Sequence, residues 1–573
     1  MKKTASGVFN SSIIKIGFAV ILFGLLVITR LSYLVILKGD DYIAMAQSVR
    51  MKTVAVNEFD RGNILDTNGK ELTNNSENCL VVFPCLINND DWLVYCFRNM
   101  FDDGKEEDNG GITDDWQKKL AAAEPFIVQR NLTEYQTEKY TNIIEEKNLA
   151  GAFVLTLCPR YGLDFNACHV IGFVGEANED ELAELTEKKL PESTAVGKSG
   201  IEYQYNDYLT GKFSDKIGVA ADEKSKQIST DLRLLKGHRQ KGMGYDVQLT
   251  LNKDYQQFLD EAMREKSGGA VLLDVRTGDI LAVSSSPCYN QYLGQTAADG
   301  SDYINKAFAY YPPASVFKTV LVLAALGENI DCSQSFFCNG FIILGGGHKV
   351  GCWEETGHGK ENLQSALANS CNPYFVNLGQ RLGGRTIMDY AYNLGLGEQK
   401  IIGYNVKSLP DNIAFDVRAE ADVANVSIGE KGVRLSPLLV AQLMCTVANG
   451  GNVVTPRLVK GILTEDGKYI KEFSCAEPRK VIDDEITATL RQYLRLAVTS
   501  GTGKPVNSSI VEIAGKTGTT QNEGVWFAGF MPSDEPKYAI AVYDENGESG
   551  GADAGVVAKE VFEKIAAVDG LTE

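Results

Sequence analysis

Ser315 and Lys318 are the residues of this sequence best suited to covalent chemistry. They stand in Ser315-Val316-Phe317-Lys318, directly after Tyr311-Pro312-Pro313-Ala314. The two prolines end whatever precedes them, and Val316, Val320 and Leu323 then recur at a helical period. This predicts a helix start with Ser315 in its first turn and Lys318, three residues on, on the same face. A helix N-terminus turns backbone N–H groups and a positive dipole end toward the nucleophile. A lysine in an apolar pocket beside a second cation loses enough basicity to accept a serine proton. The chemistry implied is acyl transfer, with Ser315 as nucleophile and Lys318 as its activating base. S-x-x-K is common by itself: Ser12-Ile13-Ile14-Lys15 repeats it inside an apolar stretch, where it has no catalytic meaning.

Two further motifs follow in order. Ser370-Cys371-Asn372 sits after the helical run Ala366-Leu367-Ala368 and before Pro373, which favours the first position of a helix. Asn372 could simply cap that helix. In a catalytic site the Ser370 hydroxyl would carry a proton between nucleophile and leaving group, and Asn372 would bind a substrate amide. Ser76-Glu77-Asn78 matches the same pattern, so the tripeptide alone decides nothing. Lys516-Thr517-Gly518-Thr519 contains the single Lys-Thr-Gly of the chain. As an extended segment it could pair antiparallel with an acyl donor. Lys516 and the hydroxyls of Thr517 and Thr519 would hold a carboxylate, and Gly518 would allow close approach. The N–H groups of Ser315 and Thr519 would form an oxyanion hole. S-x-x-K, Ser-x-Asn and Lys-Thr-Gly together mark β-lactamases and penicillin-binding proteins.

The elements around these motifs must hold them together. Val247, Leu249 and Leu251 alternate as a strand, and Tyr255, Leu259, Ala262 and Met263 recur at helical spacing. Gly269 to Ser285 reads as a hairpin about Thr277-Gly278. Strands return at Val525–Phe530 and Tyr538–Tyr543, and a closing helix presents Val557, Val561, Ile565 and Val568. Strands at both ends with helices between predict one mixed domain whose sheet is completed from the C-terminus. Earlier in the chain, Lys52 to Val56 alternates and Asn68-Gly69 signals a tight turn. Residues 101–116 are acidic and Gly-rich, as in a solvated loop, and 117–150 read as helical. A polar band from Asp215 to Gln240 reads as the seam between two parts.

At 573 residues the chain is too long for one core. A net charge of -19 argues against nucleic acid as a partner. Ile13 to Leu37 is broken only by Lys15 and Arg30, and that length crosses a hydrocarbon layer of about 30 Å. Lys2 and Lys3 before it, with Asp40 and Asp41 after it, predict a cytoplasmic N-terminus and an extracytoplasmic remainder. Ala44-Met45-Ala46 offers a cleavage site, but too far beyond the apolar stretch, so an uncleaved anchor is expected. Twelve irregularly spaced cysteines predict free thiols rather than a disulfide framework. Cys338 and Cys352 bracket the hairpin-like Gly345-Gly346-Gly347, with His358 beyond and Cys332 before. A disulfide there is the lesser alternative, and a metal is not expected, because the sequence nominates no clear fourth ligand.

With these motifs the chain resembles a class B penicillin-binding protein, a peptidoglycan D,D-transpeptidase. The likeness extends through Arg61-Gly62-Asn63-Ile64-Leu65-Asp66, His169 to Gly175, and Gly197-Lys198-Ser199-Gly200-Ile201-Glu202. It continues in His358-Gly359, Ser427-Ile428-Gly429, Ser436-Pro437, Ala448 to Gly451 and Trp526-Phe527; only 85–150 falls outside it. Thr67 stands where the family usually has a basic residue. The resemblance implies an α+β architecture: a cytoplasmic tail (1–11), a transmembrane anchor (12–37), a mixed pedestal of the dimerisation type (38–240) and a transpeptidase domain (241–573) with a mainly antiparallel sheet flanked by helices. It implies that Ser315 attacks the D-Ala-D-Ala carbonyl of a stem peptide, that D-Ala leaves, and that an amine of a second stem peptide resolves the acyl-enzyme. β-Lactams would acylate the same serine, no cofactor would be needed, and a membrane-embedded glycosyltransferase of the shape, elongation, division and sporulation type would be a partner. The alternatives are a D,D-carboxypeptidase, which shares the three motifs, and a non-catalytic cell-wall assembly scaffold.

Overall fold

The apolar N-terminal stretch forms a helix, α1 (Ala5–Ser32), of 28 residues. The computed structural model describes residues 5–34, 51–87, 114–162, 167–220, 232–240, 242–291, 303–331, 335–406 and 417–571. From Ile16 onward the described side chains of α1 face outward, Phe18 and Phe23 each 69% exposed, so this apolar surface has no cover among the described residues. Among the described residues no helix is long and apolar enough to cross a membrane. The transmembrane span expected at 12–37 is therefore not shown: an apolar helix ends at Ser32, and 35–37 lie outside the described residues.

The chain divides into two compact units, each built from more than one segment. The first comprises Met1–Glu58, Ser76–Cys158 and Ser214–His238. In it Met51–Ala55 pairs antiparallel with Lys216–Ala220, which pairs with Arg233–Leu235. The described ends of the polar band at 215–240 are therefore strands and not a linker. A second sheet sets Glu77–Val82 between Phe126–Gln129 and Ala152–Leu157. The helical reading of 117–150 is corrected: helices Asp114–Ala122 and Glu134–Lys147 flank that strand. Pro125 breaks the helical run, and pairing with Glu77–Val82 then wins over local propensity. Most of the acidic stretch 101–116 lies outside the described residues.

The second unit comprises Phe59–Asn75, Pro159–Phe213 and Arg239–Glu573. Ile64–Leu65 joins it as a parallel neighbour of Asp246–Leu249. A buried ionic cluster ties the other early segment in. Glu202 receives Arg61 at 2.9 Å and Arg160 at 2.6 Å, with all three side chains fully buried. Residues 59–75 and 159–213 thus belong with the motif-bearing part.

At the centre lies a five-stranded antiparallel sheet of β1 (Gly268–Asp274), β2 (Ile280–Ser286), β3 (Ala514–Thr519), β4 (Val525–Met531) and β5 (Tyr538–Asp544), in the order β2-β1-β5-β4-β3. Successive side chains part to opposite faces. Ala270, Leu272, Val525, Phe527, Ile540 and Val542 enter one core with the helices α2 (Lys253–Met263) and, from the far end of the chain, Gly555–Asp569. Val271, Leu273, Trp526, Ala528, Ala539 and Ala541 enter the other, with α3 (Lys318–Gly327), α4 (Leu363–Ala368), α5 (Asn372–Leu382) and α7 (Pro437–Ala448), while α6 (Glu420–Ser427) packs on α5. Burial on both faces explains why these strands read as nearly continuous apolar runs. α8 (Asp484–Thr499) packs against β3. In the closing helix α9 (Gly555–Asp569), Val557, Val561 and Ile565 are buried as expected, but Val568, in the last turn, is 61% exposed.

Candidate active site

Ser315 lies in a single tight turn, Ala314–Phe317, that runs straight into α3 at Lys318. The expected helix start is present, its first turn wound as a 3₁₀ turn. Ala314 takes φ +48° and donates its N–H to the carbonyl of Gly429 at 3.0 Å. A left-handed alanine costs about 1–3 kcal/mol and persists only where its surroundings over-determine it. Ser315 is partly exposed, while Lys318 on the same turn is fully buried.

Lys318 Nζ donates to the carbonyl of Ser370 at 2.9 Å and to Asn372 Oδ1 at 2.6 Å, and lies 3.4 Å from Ser370 Oγ. Burial pushes its pKa down to about 7, against a partial upward pull from Cys371, Cys352 and Glu430. Lys516 Nζ reaches the same Ser370 hydroxyl at 3.0 Å. Burial, then the charge of Lys318, holds Lys516 well below the ordinary lysine range. Ser370 sits between α4 and α5 with φ +56°, a second left-handed residue beside the nucleophile turn. Asn372 does not cap the helix: it is the first residue of α5, and its side chain is turned to Lys318 and to the Gly351 carbonyl.

Lys516, Thr517, Gly518 and Thr519 lie on β3, the edge strand, which among the described residues pairs only with β4. Its other edge is open to an extended ligand. A Cβ on Gly518 would stand 3.2 Å from the Pro313 carbonyl and 3.3 Å from Ala314 Cβ, so glycine lets the strand approach the nucleophile turn. Thr517 Oγ1 pairs with Thr502 Oγ1 at 2.6 Å, and Thr519 is exposed at the end of the strand. Lys318, Ser370, Asn372 and Lys516 are thus directly bonded together, and Ser315 stands on the turn beside them. The Ser315 hydroxyl itself makes no hydrogen bond among the described residues. Thr502 was missed by sequence reasoning, although Gly501-Thr502-Gly503 is a turn signal next to a hydroxyl. Trp353, which donates to the Asn369 carbonyl at 2.8 Å, left no comparable mark.

A second cluster adjoins the first. The Sγ atoms of Cys338, Cys352 and Cys371 and a ring nitrogen of His358 all lie within 4.8 Å of one another. Phe341–Ile343 and Lys349–Gly351 form the expected hairpin between the first two. Cys338 and Cys352 are not bonded to each other. The missing fourth ligand is Cys371, hidden inside the Ser-x-Asn motif. Hydrogen bonding from Cys371 is the chief cause that lowers Cys352 to about 5, and among the described residues His358 Nε2 is buried without a partner. Three thiols and an imidazole in this arrangement suit tetrahedral zinc, and a full set of four protein ligands is that of a structural site. Elsewhere, Cys168 and Cys288 form a disulfide that the sequence did not suggest.

A serine on a tight turn, two buried amines on one hydroxyl and an edge strand beside them are the arrangement of a serine acyltransferase of the penicillin-interactive fold. Residues 268–567 match the penicillin binding protein transpeptidase domain, and 57–249 the penicillin-binding protein dimerisation domain; the chain belongs to this family. It is 28% identical to the peptidoglycan D,D-transpeptidase MrdA of Acinetobacter baumannii, over 94% of this chain and 85% of that protein. Penicillin-binding protein A of M. tuberculosis, solved as an imipenem acyl-enzyme, is 28% identical with a TM-score of 0.52, over 56% of this chain and 80% of that one. A chain from a peptidoglycan synthase complex, solved to show structural coordination of polymerization and crosslinking, has a TM-score of 0.64 at 22% identity, covering 99% of each.

Proposed function

We propose that this enzyme cross-links peptidoglycan stem peptides by serine acyl-enzyme D,D-transpeptidation, with Ser315 as nucleophile. The observation that carries the residue roles is the convergence of Lys318 and Lys516 on the Ser370 hydroxyl. Neutral Lys318 takes the Ser315 proton as Oγ attacks the penultimate D-Ala carbonyl. Ser370, held by Lys516, passes a proton to the departing D-Ala nitrogen. Asn372 binds the donor's amide, and Lys516, Thr517 and Thr519 face its terminal carboxylate, with Gly518 giving the donor room along β3. An acceptor amine then resolves the ester into an amide cross-link. β-Lactams present a strained amide to the same groups and stop at the acyl-enzyme, as in the imipenem complex of the M. tuberculosis relative.

The apolar surface of α1 supports a single membrane anchor at 12–37 with a cytoplasmic N-terminus and the catalytic part outside. The relative from a peptidoglycan synthase complex supports a membrane-embedded glycosyltransferase as partner. The deciding experiment is fluorescent penicillin labelling of the full chain, wild type against Ser315→Ala. Labelling is expected only in wild type, and label retained by Ser315→Ala would exclude Ser315. Cross-links formed from lipid-linked precursor with a partner polymerase would then separate transpeptidation from carboxypeptidase action, which yields only trimmed stems, and from a scaffold, which yields neither.

A further inference from the structure

The turn that closes α6 lies against the nucleophile. The Gly429 carbonyl accepts the Ala314 N–H, and a Cβ on Gly429, which has φ +73°, would stand 2.1 Å from the Ala314 carbonyl oxygen. Position 429 therefore carries no side chain, and the next residue is Glu430. Its N–H is held by the Asn425 carbonyl at 3.1 Å, which fixes where the side chain departs. The carboxylate is half-buried and, among the described residues, makes no hydrogen bond or ion pair. It is close enough to Lys318 for each charge to act on the other. The neighbouring acids are committed elsewhere: Glu523 pairs with Arg434 at 2.9 Å, and Glu545 holds Lys306 and Ser267. Burial, then the charge of Glu523, raises Glu430's affinity for a proton, and Lys318 and Lys431 offset part of that.

We propose that Glu430 takes a proton from the acceptor ammonium, and so serves aminolysis of the acyl-enzyme rather than its formation. The inference rests on Ser315 as the acylated residue. Proton balance requires such a group. In acylation the Ser315 proton leaves with the D-Ala amine, so no net acceptor is needed. In aminolysis an ammonium with three protons becomes an amide nitrogen with one. As the C–N bond forms and the C–O bond to Ser315 breaks, one proton returns through Lys318 to Ser315 Oγ. The other must leave the nitrogen before attack, while Lys318 is engaged with Ser370 and Asn372. Glu430 accepts it and later releases it to water.

The test uses the full-length chain in detergent, an acyl-D-alanyl thioester as donor, and D-alanine or hydroxylamine as acceptor. D-Alanine is an ammonium at neutral pH, whereas hydroxylamine is already a free base. For Glu430→Gln, thiol release in the first turnover is expected within about two-fold of wild type, while transfer to D-alanine falls at least about ten-fold and acyl-enzyme accumulates. Transfer to hydroxylamine is expected to be retained. Unchanged transfer to D-alanine would overturn the proposal. So would equal loss with both acceptors, which would mark a structural role. A wild-type chain that released no thiol would instead remove the Ser315 assignment beneath it.

Discussion

Lys516 Nζ lies 3.0 Å from the hydroxyl oxygen of Ser370, and that oxygen is also 3.4 Å from Lys318 Nζ. The hydroxyl has two lone pairs that can accept from both amines and one proton, which it can give to Lys318 only when that amine is neutral. The burial that lowers Lys318 to about 7 makes this state accessible near neutrality. Acylation by fluorescent penicillin should therefore be level above about pH 7 and fall about ten-fold per unit below it, as Lys318 gains a proton. A rate constant independent of pH across neutrality would exclude Lys318 as the base.

The Cys338, Cys352, Cys371 and His358 cluster predicts one zinc per chain in protein purified without chelator, and Cys371→Ser should lose it. Zinc that binds only the folded state adds to its stability by mass action, so chelation should lower the melting temperature and added zinc restore it. Because Cys371 sits between Ser370 and Asn372, chelation should also slow penicillin acylation. Wild-type protein with no metal and a melting temperature indifferent to chelator would count against the site.

The catalytic sheet was legible in the sequence because each strand buries both faces, so Val271 and Leu273 alternate with Ala270 and Leu272 in one apolar run. The three motifs were legible because their order and local context agreed. Other features are not written in local pattern. Arg61 and Glu202 are 141 residues apart and meet through charge, which leaves no periodic signal, so the early segments' place in the second unit could not be read. The left-handed backbone of Ser370 carries no glycine to announce it. Cys371 was hidden as a ligand because it occupies the variable position of a motif read for its neighbours. Phe126–Gln129 reads as part of a helix until Glu77–Val82 is there to pair with it.

Asp260 lines a cavity of about 540 Å³ between α2 and β2 and accepts hydrogen bonds from Gln256 and the Ala167 N–H. Burial pushes its pKa up to about 7, despite hydrogen bonds that favour the charged form. Between its unfolded value and about 7 the native state holds a proton that the unfolded chain has released. Stability from this group is therefore lost as pH rises through that window and stays low above it. Asp260→Asn should remove the dependence and raise stability above pH 7 by about 2 kcal/mol, discounting the shift for partial exposure. Denaturant unfolding at pH 5 and pH 8 reads this directly, and parallel pH curves for the two proteins would contradict it.

Glu202 is the common anion of two arginines with no access to solvent. Its carboxylate receives Arg61 and Arg160, and Tyr161 adds a hydrogen bond at 3.3 Å. Burial alone would raise its pKa, but the charges of Arg160 and Arg61 outweigh that and hold it below the usual range. Replacing it by Gln keeps the shape and leaves two buried guanidinium groups without a counter-charge. Breaking a buried pair in this way typically costs about 3–5 kcal/mol, far more than loss of an exposed one. Arg61 also reaches Asn206 and Thr210 at 2.8 Å, and Arg160 reaches the Gly62 carbonyl at 2.7 Å, so the loss should loosen both early segments of the second unit together. Glu202→Gln should thus unfold at markedly lower denaturant, and proteolysis should cut first within 59–75 or 159–213. Penicillin acylation per folded molecule should be nearly unchanged. A denaturant midpoint equal to wild type would show that the triad does not hold these segments in place.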